Sequence, residues 1–328
     1  MRKKLLILCY HGFEIADESQ CRPKLFIKKE TFERRLKYLH QHSVTVLPLD
    51  KAVEGIENDS LADNSVVITI DDGFYSVLKV AYPLLHKYGF PATLYQMSKD
   101  MLTGMPVLPV LIAYMIETTT KNSFIPNQHK FGNIEGCDLT CPEHKEKFID
   151  SCISFARTLD SSEKVEQFYK EFGNELAVDY ENIKNLRFLS LLNESEVLAL
   201  ASTEINVQLH THSHQFPQNN AAEASLEIKK NKQILEPLTE QPLVHFCYPA
   251  GKWSTSHWSI LAKEGVKSAT TCLPGLNDSS VNMLALNRFL DGENIPHIVF
   301  EAEVYRFSEC IRILRNKISR SRSSTRDI

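Results

Sequence analysis

The chain has 328 residues, 43% hydrophobic and 24% charged, with a formal net charge of -4. That supplies ample apolar material for one large domain or two small ones. The charge balance gives no ground for a nucleic-acid partner or for membrane affinity of the chain as a whole. Eight cysteines (Cys9, Cys21, Cys137, Cys141, Cys152, Cys247, Cys272 and Cys310) are scattered, several in apolar runs. This reads as reduced cytosolic usage rather than a disulfide framework.

Met1-Arg2-Lys3-Lys4 precedes Leu5-Leu6-Ile7-Leu8, but the apolar run stops at Tyr10-His11-Gly12. It is too short for a signal core, and no stretch is long enough to span a bilayer, so a cytoplasmic location is expected. Leu5 to Tyr10 then reads as a buried strand. Thr31 is placed to cap a helix with Phe32, Leu36 and Leu39 on one face. Val44 to Leu47 reads as a strand and Lys51 to Ile56 as a short helix. Val66 to Ile70 is a β-branched, apolar run that ends in Asp71-Asp72-Gly73. Two carboxylates at a strand end fit either a cleft or a turn before a helix. A helix from Val77 to Tyr88, closed by Gly89, and a strand from Ala92 to Gln96 follow. The order so far is that of parallel strands with helical crossovers.

From about 99 to 186 the rhythm breaks. Val107 to Ile116, Phe148 to Leu159 and Val165 to Leu176 follow helical spacing, which predicts a helical insertion. It interrupts the chain just after a strand, so it is expected to leave from the strands' C-terminal side. The βα rhythm resumes with an Asn193/Glu196 capping box. Strands are expected at 205–209, 243–248, 266–272, 284–290 and 298–302, with helices at 221–235 and from Ser254-Thr255 to Gly265. That alternation gives seven or eight strands and suits a βα barrel. His11, Asp71-Asp72, His210 and Tyr248 all fall at C-terminal strand ends, where βα barrels carry their chemistry.

His210-Thr211-His212-Ser213-His214 places three histidines within five residues beyond a strand, the donor type of a metal site or else a polar loop. With these residues in view, the sequence resembles the polysaccharide deacetylases, carbohydrate esterase family 4 with its NodB-like domain. Thr69-Ile70-Asp71-Asp72-Gly73 resembles the first family motif and His210-Thr211-His212-Ser213-His214 the second. Phe246-Cys247-Tyr248-Pro249-Ala250-Gly251 resembles the third, and the Tyr10-His11 opening, Gly265 to Thr271 and Leu286-Asn287-Arg288 also look like one branch. The likeness covers about residues 1–98 and 187–305.

The resemblance implies a distorted (β/α)7-8 barrel spanning residues 1–310, with the helical insertion at about 99–186. It implies one divalent metal ion, zinc above others, on Asp72, His210 and His214, with His212 only a neighbour. Asp71 is then the general base, and a backbone N–H near Tyr248 helps hold the oxyanion. The family's Leu-x-His motif, source of the general acid, has no clean match here. His11 is a candidate for that role, or else a buried barrel histidine. The third motif lacks the arginine that orients the base; Arg288 is the candidate replacement, or else a surface residue. Trp253 is expected either to stack on a sugar or to pack. Cys137, Cys141 and His144 are a weaker candidate for a structural zinc, without an evident fourth ligand.

The expected activity is removal of an acetyl or similar small acyl group from an N-acylated amino sugar. Two alternatives stay open: a related amide hydrolase (deformylase or cyclic-amide opening) and a degenerate glycan-binding member. The expected substrate is a polysaccharide or its nucleotide- or lipid-linked precursor. Residues 311–328 form a basic tail, with Arg312, Arg315, Lys317, Arg320, Arg322 and Arg326 interspersed with Ile311, Ile313, Leu314 and Ile318. Such a tail is suited to peripheral contact with an anionic membrane.

Overall fold

The structure, a computed structural model, describes residues 3–132 and 134–307. The basic tail expected at 311–328 lies outside the described residues. At the centre is an eight-stranded parallel sheet: β1 (Leu6–Tyr10), β2 (Thr45–Val46), β3 (Ser65–Ile70), β4 (Ala92–Gln96), β5 (Ile205–Leu209), β6 (His245–Cys247), β7 (Ser268–Thr270) and β8 (Phe289–Leu290). Neighbours run β7-β6-β5-β4-β3-β1-β8, and β2 pairs the start of β3. The two ends of this path meet through one segment. Leu286 bridges Thr270 of β7, and Phe289 and Leu290 pair with Leu8 and Cys9 of β1. The pairings therefore return to β1, and the sheet curls into a distorted barrel, as the sequence led us to expect.

Alternation along the strands sorts side chains by face. Leu6, Leu8 and Tyr10 of β1, with Val66, Ile68 and Ile70 of β3, join the large outer core under the helices. These helices include α1 (Lys29–Gln41), α3 (Tyr82–Tyr88), α8 (Glu194–Ala201) and α9 (Ala221–Leu235). Leu5, Ile7 and Val67 point the other way and pack with Leu49, Ala52, Val53 and Ile56 of α2 (Leu49–Glu57). The barrel interior is thus apolar where the strands begin, with α2 closing that end. It turns polar toward their C-terminal ends, at Cys9, Thr69 and Asp71, all buried.

The insertion holds α4 (Leu108–Thr118), α5 (Pro142–Ala156), α6 (Ser162–Leu176) and α7 (Tyr180–Leu186). Their apolar faces build a second core with Phe26, Phe74 and Met97 of the barrel loops. The chain returns through Leu189–Leu192. Tyr75 N–H donates to Ser190 O at 2.9 Å, and Leu192 N–H donates to Gly73 O at 2.9 Å. The insertion therefore rejoins the barrel one residue past Asp72, on the C-terminal face. Arg187 locks this return with a fork onto Glu196 (2.5 and 2.8 Å), and Glu196 also completes the Asn193 capping box.

Two expectations are corrected. Residues 298–302 are not a strand but lie in α10 (His297–Val304), the last helix among the described residues. Pro296 precedes its first turn, and Phe300 and Val304, one turn apart, are buried together. The first long helix begins at Lys29, so Thr31 does not cap it; its hydroxyl instead donates to Glu293 Oε1 at 3.1 Å.

The closing segment is held by a buried ion pair. Arg35 of α1 bonds Asp291 at 3.0 and 3.3 Å and donates to Ile295 O at 2.6 Å. Tyr10 Oη also donates to Asp291, at 3.0 Å, and Asp291 N–H donates to Cys9 O, at 3.0 Å. Removing one partner of such a pair strands a buried charge. Arg35→Met should lower stability by about 3–5 kcal/mol, read from the midpoint of urea unfolding.

Candidate active site

Asp71 continues the inward face of β3, two residues past Thr69. Arg288 reaches it from the closing segment in a two-pronged pair, Nη1 to Oδ1 and Nη2 to Oδ2, both at 2.7 Å. Arg288 is fully buried, with Nε donating to Thr271 O at 2.8 Å and Nη1 to Thr69 Oγ1 at 3.2 Å. The thiols of Cys247 and Cys9 also face Asp71 Oδ2, at 3.2 and 3.5 Å. Burial pushes the pKa of Asp71 up. The Arg288 charge and its forked bonds, with His11 and His210 nearby, more than reverse this and hold the carboxyl well below the usual carboxylate range.

Strict alternation would send Asp72 to the outer face. It does not, because Asp72 takes φ +70° and turns its carboxylate into the same cleft as Asp71. Gly73 follows at φ +87°, where any Cβ would collide with the Gln96 side chain. Asp72 Oδ1 lies 3.1 Å from His210 Nε2 and 3.4 Å from His214 Nε2. His210 continues the inward face of β5, and its Nδ1 meets Cys247 O at 2.9 Å. With the proton on Nδ1 donated to that carbonyl, Nε2 presents its lone pair to the cleft. Burial pushes Asp72 up, but the His210 bond and His214 charge bring it down to about 2. Burial pushes His214 down toward the neutral, ligating form.

These three donors fit one divalent ion. Ligands held tetrahedrally at about 2.0–2.2 Å from zinc stand roughly 3.3–3.6 Å apart, near the separations found here. Other groups close enough to share an ion are Cys9/His11/Asp71 and Asp71/His210/Cys247. Both need Asp71, which Arg288 already holds, and the guanidinium stands 3.2 Å from Cys247 Sγ, where it repels a cation.

The other expected residues are placed as follows. His11 is partly exposed in the cleft, with Nε2 3.8 Å from Asp71 Oδ2. His212 stands outside the donor groups; its Nδ1 meets Ser98 Oγ at 3.0 Å. Tyr248 does not offer its ring to the cleft. Cys247 takes the inward position of β6, so Tyr248 turns outward, is buried among Phe216, Phe246 and Trp253, and donates from Oη to Leu284 O at 2.8 Å. Its own N–H donates to Thr270 O at 3.2 Å. Trp253, partly buried, stacks near Tyr248 and Trp258, at 5.8 and 5.9 Å between ring centres. Cys137, Cys141 and His144 do not form a donor group among the described residues.

Residues 172–269 match the family model described as polysaccharide deacetylase. YxkH of Bacillus subtilis, named as a polysaccharide deacetylase, is 31% identical over 99 residues, which are 30% of this chain and 33% of that protein. Among solved structures, the Streptococcus pyogenes deacetylase PplD, in complex with acetate, superposes with a TM-score of 0.58 at 18% identity, over 90% of this chain and 95% of that one. IcaB from Ammonifex degensii gives 0.56 at 15% identity, over 92% and 96%. Residues 172–269 thus match the polysaccharide deacetylase family model, and the chain as a whole has the fold of solved deacetylases. The family match takes in the His210–His214 loop and Tyr248 but not Asp71, Asp72 or Arg288. The shared fold covers about nine-tenths of the chain.

Sequence reasoning missed the two thiols beside Asp71 and the brace behind the histidine loop. Ser213 is held by Glu227, whose carboxylate accepts from Ser213 N–H at 2.7 Å and from Oγ at 2.8 Å. The thiols had a signal, since Cys9 and Cys247 occupy inward positions just before strand ends.

The pair of Asp71 and Arg288 sets a pH dependence. Asp71 titrates below its unfolded value of about 3.9, so its ionised form stabilises the fold above that value, and the contribution is lost as pH falls through the folded value. In Arg288→Gln the buried carboxylate loses its counter-charge and its pKa rises. Urea midpoints of chelator-treated protein, measured between about pH 3 and 8, should fall at a higher pH in the variant than in the wild type. Superimposable profiles would mean that the pair does not set acid stability.

Proposed function

We propose that this chain is a metal-dependent N-deacetylase that removes an acetyl or similar small acyl group from an amino sugar of a polysaccharide or its precursor. One observation carries the reading: Asp72, His210 and His214 converge at 3.1 and 3.4 Å beside a second carboxylate, Asp71, that Arg288 keeps ionised. The family match over residues 172–269 supports carbohydrate deacetylation in general. The arrangement supports metal-assisted attack of water on an acyl carbonyl.

Asp72 Oδ1, His210 Nε2 and His214 Nε2 would hold the ion, and zinc suits one carboxylate with two imidazoles. Such an ion, when bound, acts as a Lewis acid on the acyl carbonyl and makes water acidic enough to attack near neutral pH. Asp71 takes the proton of the attacking water. Its low pKa makes it a weak base, adequate only for water that is already acidified. Arg288 fixes both Asp71 oxygens in place, so the proton is received in one orientation. His11, in the cleft beside Asp71, gives a proton to the departing amine nitrogen, the role for which the sequence lacks the family's usual histidine. The insertion, rejoining the barrel next to Asp72, walls this cleft and selects the sugar.

Metal content and turnover separate these roles. His214→Ala should lose bound zinc and activity together, and His212→Ala should keep most of both. Asp71→Asn should keep zinc but lose about 10²- to 10⁴-fold in kcat. Acetate and formate release would be followed on N-acyl amino sugars in polymer, nucleotide-linked and lipid-linked form. Stoichiometric zinc without release from any of them would overturn the deacetylase reading.

A further inference from the structure

Asn231 lies on the inner face of α9, in line with Ala224, Ile228 and Leu235, and all four are fully buried. A polar side chain on an apolar face is costly unless its groups are bonded. Here they are. Asn231 Oδ1 accepts from His210 N–H at 3.0 Å, and its Nδ2 donates to Gln96 O at 3.1 Å and to Ser98 Oγ at 3.0 Å. The network then continues into the histidine loop from the other side. Ser98 Oγ meets His212 Nδ1 at 3.0 Å, and Lys99 N–H donates to His212 O at 2.8 Å. One buried amide thus ties the end of β4 to both the start and the middle of the loop.

That loop needs tying. Thr211 sits at φ +67° and His214 at φ +58°, left-handed values that side chains with a Cβ rarely adopt and that are least favourable for a β-branched residue. Strain of this kind persists only where the surroundings over-determine the backbone. The strained residues are the ones that let His210 and His214 turn toward one carboxylate oxygen, 3.1 and 3.4 Å away.

We propose that Asn231 is the positioning residue of the metal centre: it holds the His210–His214 loop in the conformation that brings both imidazoles onto Asp72. It touches none of the donor atoms and acts through the backbone of His210 and through Ser98. The inference rests on the metal-centre reading given above.

The test is zinc affinity of the purified full-length chain, by competition with a chromogenic chelator, with Tm recorded in parallel. Asn231→Leu should weaken zinc binding by about 10- to 100-fold. Ile228→Val, a change on the same helix face that leaves the loop untouched, should lower Tm and keep wild-type affinity. Wild-type affinity in Asn231→Leu, or equal weakening in Ile228→Val, would overturn the proposal. Should Asn231→Leu fail to fold, Ser98→Ala decides: weaker zinc binding at unchanged Tm supports the proposal, and unchanged affinity overturns it. A wild-type chain that takes up no zinc would instead remove the metal-centre reading, and this inference with it.

Discussion

The fork between Arg288 and Asp71 is the constraint around which the barrel is built. A carboxylate at the bottom of a closed cleft is costly without a partner at contact distance. The partner comes from the segment that shuts the barrel, between Leu286, which bridges β7, and Phe289, which pairs with β1. Charge balance and barrel closure are therefore one requirement. An open seam would leave Asp71 unpaired, and an uncharged residue at 288 would leave the seam without its inward anchor. Arg35 and Asp291 repeat the device on the outer side of the same segment, with Tyr10 as a third member. Two buried arginines, one on each side of a two-residue strand, do what longer strand pairing does elsewhere in the sheet.

The second constraint is conformational. Adjacent residues of a strand cannot face one cleft while the chain stays extended. Asp71 and Asp72 manage it because the strand stops at Ile70 and Asp72 turns to a left-handed conformation. The histidine loop uses the same solution at Thr211 and His214. Strain is thus concentrated where the donors are, and the surrounding hydrogen bonds, from Asn231, Ser98 and Glu227, maintain it.

Much of this was legible in the sequence because the barrel obeys a period of two and ends its strands in polar residues. The strand before Asp71-Asp72, the capping box at Asn193 and Glu196 and the helical character of the insertion could all be read from local pattern. Arg288 could be singled out by motif, but its fork with Asp71 is a contact over 217 positions of sequence, and no local pattern encodes it. The face taken by the Tyr248 ring was not legible, because a motif names a residue without saying which face it takes. One step of alternation gives the cleft to Cys247 and sends the tyrosine into the outer core. Residues 298–302 were misread because a short apolar run fits a strand or one turn and a half of helix equally well. Asn231 was overlooked as an ordinary helix residue, although an amide between Ile228 and Leu235 on an apolar face is itself a signal.

The position of the closing segment also orders events in time. Asp72, His210 and His214 have all left the ribosome before residue 215, but the bond from Tyr10 to Asp291 spans 281 positions. During synthesis the first strand must wait, with one edge unpaired, for almost the whole chain to emerge. Loop-closure entropy grows only slowly with such a length, but contacts this distant in sequence form late. The donors for an ion are therefore complete in the nascent chain before the arginine that quenches Asp71. In that interval the growing chain presents two carboxylates and two imidazoles without the counter-charge that Arg288 later brings to Asp71.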